Sequence, residues 1–67
     1  MNVTINGKEM HIPEDVDTVA KLISHLEIRN PVVIVELNDE ILQKEDHEKT
    51  TIKADDRIEF IQFVGGG

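Results

Sequence analysis

The chain has 67 residues, with 14 acidic and 7 basic side chains for a formal charge of -7, and no cysteine. A chain this short is one small domain that buries about 60% of the surface its unfolded form exposes, which leaves no room for a second domain or an enclosed cavity of enzyme size. The acidic excess argues against nucleic acid and anionic membrane surfaces and favours a partner with a basic docking face; without cysteine there are no disulfides, thiolate chemistry or cysteine-based metal sites.

The opening residues Met1 to Asn6 lack the basic and long apolar regions of an export signal. The longest apolar run, Val32 to Val35, falls far short of the roughly 20 residues needed to span a bilayer. The expectation is a cytoplasmic protein, monomeric when free.

Met1, Val3 and Ile5 alternate with Asn2, Thr4 and Asn6, and Met10 and Ile12 resume the alternation after Asn6-Gly7. Asn-Gly supplies the positive φ angles of a type I′ turn, so Met1 to Ile12 reads as a β-hairpin. Pro13 ends it, and Asp17 or Thr18 can cap the helix that follows. Val19, Leu22, Ile23 and Leu26 form its apolar stripe, with Lys21, Ser24, His25 and Glu27 on the other side. The helix is expected to stop near Ile28, because Pro31 disfavours helical geometry at Asn30.

The β-branched run Val32-Val33-Ile34-Val35, extended by Leu37, predicts a largely buried strand. Asn38-Asp39 begins a turn, and Ile41 and Leu42 suggest a brief strand. Gln43 to Lys49 reads as a solvated loop with room for one helical turn, anchored beyond by Ile52. Ala54-Asp55-Asp56 is a turn, and Arg57 to Val64 is the last strand. Ile58 and Phe60 share one face of it, while Ile61 and Phe63 share the other with Glu59. A sheet covered by one helix buries one face, which leaves Ile61 and Phe63 on the open side; the alternative is a twist or bulge that tucks one of them inward.

The order strand, strand, helix, strand, short strand, strand predicts a two-layer α+β design in which one main helix covers a mixed sheet of four or five strands. First and last strands lie parallel in the middle, each joined to an edge strand by a tight antiparallel connection: the β-grasp arrangement. Residues 1–64 form the domain and 65–67 a flexible tail.

That tail, Gly65-Gly66-Gly67, is the strongest functional signal. Glycine has no Cβ, so the segment can thread a channel too narrow for other residues and hold an α-carboxylate out for another protein to activate. Taken with Phe63-Val64 before it, with Asp56-Arg57-Ile58-Glu59, with the opening Ile5-Asn6-Gly7-Lys8 and with Val33-Ile34-Val35-Glu36-Leu37-Asn38, it resembles the ThiS family of sulfur carriers in thiamine biosynthesis over the whole chain. One departure is Asp55-Asp56, where the family usually has Gly-Asp before the last strand; Asp tolerates the left-handed conformation better than most residues.

The resemblance implies a ubiquitin-like fold and a protein that is a substrate and not a catalyst. A ThiF-like adenylyltransferase would activate the Gly67 carboxylate with ATP and magnesium, a persulfide protein would supply sulfur, and a ThiG-like thiazole synthase would accept it from the Gly67 thiocarboxylate. Gly65 and Gly66 would thread the enzymes, with Ile61, Phe63 and Val64 as docking contacts; no cofactor is bound by the carrier itself. The alternatives are the small sulfur-carrying subunit of molybdopterin synthase, a ubiquitin-like modifier conjugated to lysines, and a binding module with an incidental glycine end. His11, His25 and His47 lack i, i+4 spacing and read as surface residues, with no metal site expected. The carboxylates Glu36, Asp39, Glu40, Glu45, Asp46 and Glu48 read as a solvated face that attracts a basic partner.

Overall fold

A computed structural model describes residues 1–28 and 33–62. Its strands are β1 (Asn2–Ile5), β2 (Lys8–His11), β3 (Val33–Leu37), β4 (Glu40–Leu42) and β5 (Arg57–Gln62), and its helix is α1 (Val19–His25). The sheet runs β2-β1-β5-β3-β4. β1 and β5 are parallel, and the other neighbours are antiparallel. The mixed five-stranded sheet and its one helix have the expected β-grasp form. One expectation fails: β5 does not adjoin an edge strand. β3 lies between it and the edge strand β4, because the tight Asn38-Asp39 turn pairs β4 with β3.

The local turns follow backbone chemistry. Asn6 and Gly7 both take positive φ, 51° and 80°, as a type I′ turn requires. Asn38 and Asp39, at 50° and 70°, do the same between β3 and β4. Asn38 also ties the neighbouring strand: its N–H donates to Arg57 O at 2.8 Å and its Oδ1 accepts from Arg57 N–H at 2.9 Å. Asp55, in the turn before β5, sits at φ 71°. The turn survives because Asp56 closes it, accepting the Lys53 N–H at 2.8 Å and the Asn38 amide at 3.1 Å.

Helix α1 begins at Thr18, whose Oγ1 accepts the Lys21 N–H at 3.2 Å. The exposed Lys21 ammonium bonds the Asp17 carboxylate at 2.9 Å and, by that bond and its charge, holds the Asp17 carboxyl below its ordinary value. The other orphan amides at this end find partners in the long loop: Val19 N–H donates to Thr50 O and Ala20 N–H to His47 O, both at 3.0 Å. The segment read as a solvated loop contains a 3-10 turn, Lys44–Asp46, and caps the helix through its carbonyls. That role draws Asp46 and His47 into half-buried positions, so His47 is not the surface residue expected from the sequence.

The helix stops earlier than Pro31 alone requires. Glu27 takes φ 57° and donates its N–H to Ser24 O, while Ile28 N–H donates to Ile23 O, each at 3.1 Å. This is a Schellman stop, with glutamate where glycine is usual. It places Ile28 beside Ile23, and both pack against the core.

The core lies between α1 and the inner sheet face. Val19, Leu22, Val35 and Ile58 are fully buried, and Val3 and Ile12 nearly so. Ile58 and Phe60 enter it from β5, as the alternation predicts. Among the described residues no polar or charged residue is buried.

Candidate functional site at the end of the last strand

β5 runs between two anchors toward the predicted site. At its start, Arg57 is held by Asn38 and pairs with Asp39 through Nη2 at 2.8 Å, an exposed ion pair worth about 0–1 kcal/mol. Further along, β1 has ended and the chain turns away at Asn6-Gly7. Asn6 continues the ladder with its side chain: its N–H donates to Ile58 O at 2.9 Å, and its Oδ1 accepts the Phe60 N–H at 2.8 Å. The parallel pairing is thereby carried two residues closer to the glycines, on a bond spanning 54 positions of sequence.

The face of β5 away from the helix carries Arg57, Glu59 and Ile61. Ile61 is 38% exposed, as its phase predicts, and lies opposite half-buried Ile34 on β3. One step back along the strands, Glu59 lies opposite Glu36, and Glu36 lies opposite Ile41 of β4, which is 63% exposed. The open face therefore has an Ile34–Ile61 pair toward the end of β5 and a Glu59–Glu36–Ile41 row behind it. Glu36, grouped by sequence with the solvated carboxylates, is half-buried. Phe63, Val64, Gly65, Gly66 and Gly67 lie outside the described residues.

The geometry adds residues that the sequence reading left unassigned. Asn6 was visible as a turn residue, but its bond to Phe60 depends on the pairing of the two chain ends. The Glu36–Glu59 juxtaposition depends on the β3–β5 register; the only sequence signal was that Glu59 shares a face with Ile61.

Elsewhere, Ala20, Ile23, Lys44, Glu45, His47 and Glu48 line an open depression beside the helix. The Nε2 atom of His47 is buried there without a hydrogen-bond partner among the described residues. Among the described residues no group of three or more His, Asp or Glu side chains could hold a metal ion, and no helix is long and apolar enough to cross a membrane.

Residues 3–67 match the model of the ThiS family. The chain is a member of that family. It is 38% identical over 63 residues to the sulfur carrier protein ThiS of Bacillus subtilis, a match covering 94% of this chain and 96% of that one. The crystal structure of the thiamine biosynthesis protein ThiS from Geobacter metallireducens superposes with a TM-score of 0.86 at 40% identity, each chain covered completely. The chain also matches, along its whole length and at 33% identity, one fifth of a thiazole synthase from Paramagnetospirillum magneticum.

Proposed function

We propose that this protein carries sulfur for thiazole formation in thiamine biosynthesis, with the Gly67 carboxylate as the atom group that is charged. The observation that carries the reading is family membership across residues 3–67, a span that includes the three glycines. Attack of Gly67 on the α-phosphate of ATP releases pyrophosphate and turns a poor acyl electrophile into an acyl adenylate. A sulfur nucleophile then expels AMP and leaves a thiocarboxylate. With sulfide this completes the exchange; with a persulfide, a thiol must also reduce the acyl disulfide that forms.

The acceptor in this reading is a ThiG-like thiazole synthase, and the activating enzyme is a ThiF-like adenylyltransferase. The thiazole synthase of P. magneticum includes a stretch like this whole chain, so carrier-like and synthase sequences occur in one polypeptide. Gly65 and Gly66 serve as the threading segment, and Ile61, Phe63 and Val64 as docking contacts. Exposed Ile61 beside Ile34 supports that assignment, because it makes an apolar pair at the end of the strand that precedes the glycines in sequence.

The test is intact mass after incubation with a ThiF-type enzyme, ATP and sulfide. The expected gain is the difference between one sulfur and one oxygen atom. Deleting Gly67 abolishes that gain and leaves the thermal melt within about 0.5 kcal/mol of wild type, as for other changes away from the core. An unmodified wild-type chain, beside a B. subtilis carrier that is modified, overturns the reading.

A further inference from the structure

We propose that the open sheet face of β5, β3 and β4 is a receptor for one guanidinium group of the adenylating enzyme, held jointly by Glu36 and Glu59 and walled by Ile34, Ile61 and Ile41. This rests on the carrier function proposed above and names the chemistry of its docking partner. The two glutamates are arranged in a way that folding alone disfavours. Glu36 and Glu59 are direct cross-strand neighbours on one face of the sheet, and like charges in that relation are destabilising. Glu36 is half-buried and Glu59 exposed.

No cation within the described fold relieves the pair. The described salt bridges engage Glu14, Asp17 and Asp39, and neither Glu36 nor Glu59. The nearest basic group along the same strand face, Arg57, is turned to Asp39 at 2.8 Å. The described hydrogen bonds likewise include neither carboxylate.

The surroundings fix the kind of cation. Ile41 flanks Glu36 on one side, and the Ile34–Ile61 pair lies next along the strands toward the glycines. An ammonium keeps its water tightly and suits such apolar walls poorly. A guanidinium is weakly hydrated and planar, with donors on separate edges for two carboxylates. The place fits as well, because in sequence β5 immediately precedes residues 63–67, the segment that the proposed function has an enzyme take up. The net charge of -7 adds long-range attraction for a basic surface.

The test compares wild type with Glu36→Gln, Glu59→Gln and the double variant as substrates of a ThiF-type enzyme, across a salt series, with thermal melts in parallel. The double variant is expected to raise KM about tenfold and flatten its salt dependence, with kcat unchanged and a melting temperature equal to or above wild type. A structural role for the pair would instead lower the melting temperature. An unchanged KM and salt dependence overturns the proposal while leaving the carrier function standing, as does a raised KM whose salt dependence is retained. If wild type itself is not modified, the carrier reading and this receptor fall together.

Discussion

Two side chains are held in backbone conformations that suit glycine better. Glu27 at φ 57° stops the helix, and Asp55 at φ 71° turns the chain into β5. The left-handed region costs an ordinary L-residue about 1–2 kcal/mol, less for aspartate, whose short polar side chain tolerates it. Both side chains are exposed, and neither appears among the described side-chain hydrogen bonds. Glu27→Gly is therefore expected to stabilise the domain by about 1 kcal/mol and Asp55→Gly by about 0.5 kcal/mol, after the greater flexibility of glycine in the unfolded chain is offset. Urea unfolding midpoints check this, and a loss of stability in both variants would show that these side chains support the turns in another way.

The elements depend on one another unequally. Leu22 is fully buried beneath the sheet, so Leu22→Ala is expected to cost about 2–5 kcal/mol. In a domain whose whole stability is on the order of 3–10 kcal/mol, that approaches unfolding at room temperature. Ile41→Ala, on the exposed edge strand, should cost less than about 1 kcal/mol; chemical denaturation of the two variants measures the contrast. The β-hairpin, the helix stripe, the strand of β-branched residues and the phase of β5 were all legible, since each is a local periodicity or turn pattern. What was not legible arose from contacts remote in sequence: the loop carbonyls that cap α1, the half-burial of His47, the place of β4 outside β3, and the register that sets Glu36 against Glu59. The helix end is hidden for a different reason: a Schellman stop on glutamate has no compositional mark, whereas Pro31 marks a later boundary. At the candidate site, Ile61 followed from alternation alone, whereas Asn6 as an anchor of β5 did not.

For the molecule as a whole, 14 acids against 7 bases is a self-repelling surface. The side-chain ion pairs Lys21–Asp17 and Arg57–Asp39 are exposed and individually weak. Compact packing concentrates this repulsion, so screening should favour the folded form. Raising sodium chloride from about 0.01 M to about 0.15 M shortens the screening length from about 30 Å to about 8 Å and is expected to raise the melting temperature. A falling melting temperature over that range would mean that attractive pairs outweigh the excess charge.

The Asn6–Phe60 bond also bears on the order of events during synthesis. It joins positions 54 residues apart, and the strand it secures brings Ile58 and Phe60 to the core. While Arg57–Gln62 is still shielded by the ribosome, the hairpin and helix have no central strand to close upon, and such distant pairings form late because they carry the largest loop-closure cost. A half-made chain therefore has no finished sheet: the open face formed by β5, β3 and β4 exists only in molecules whose first and last strands have already paired.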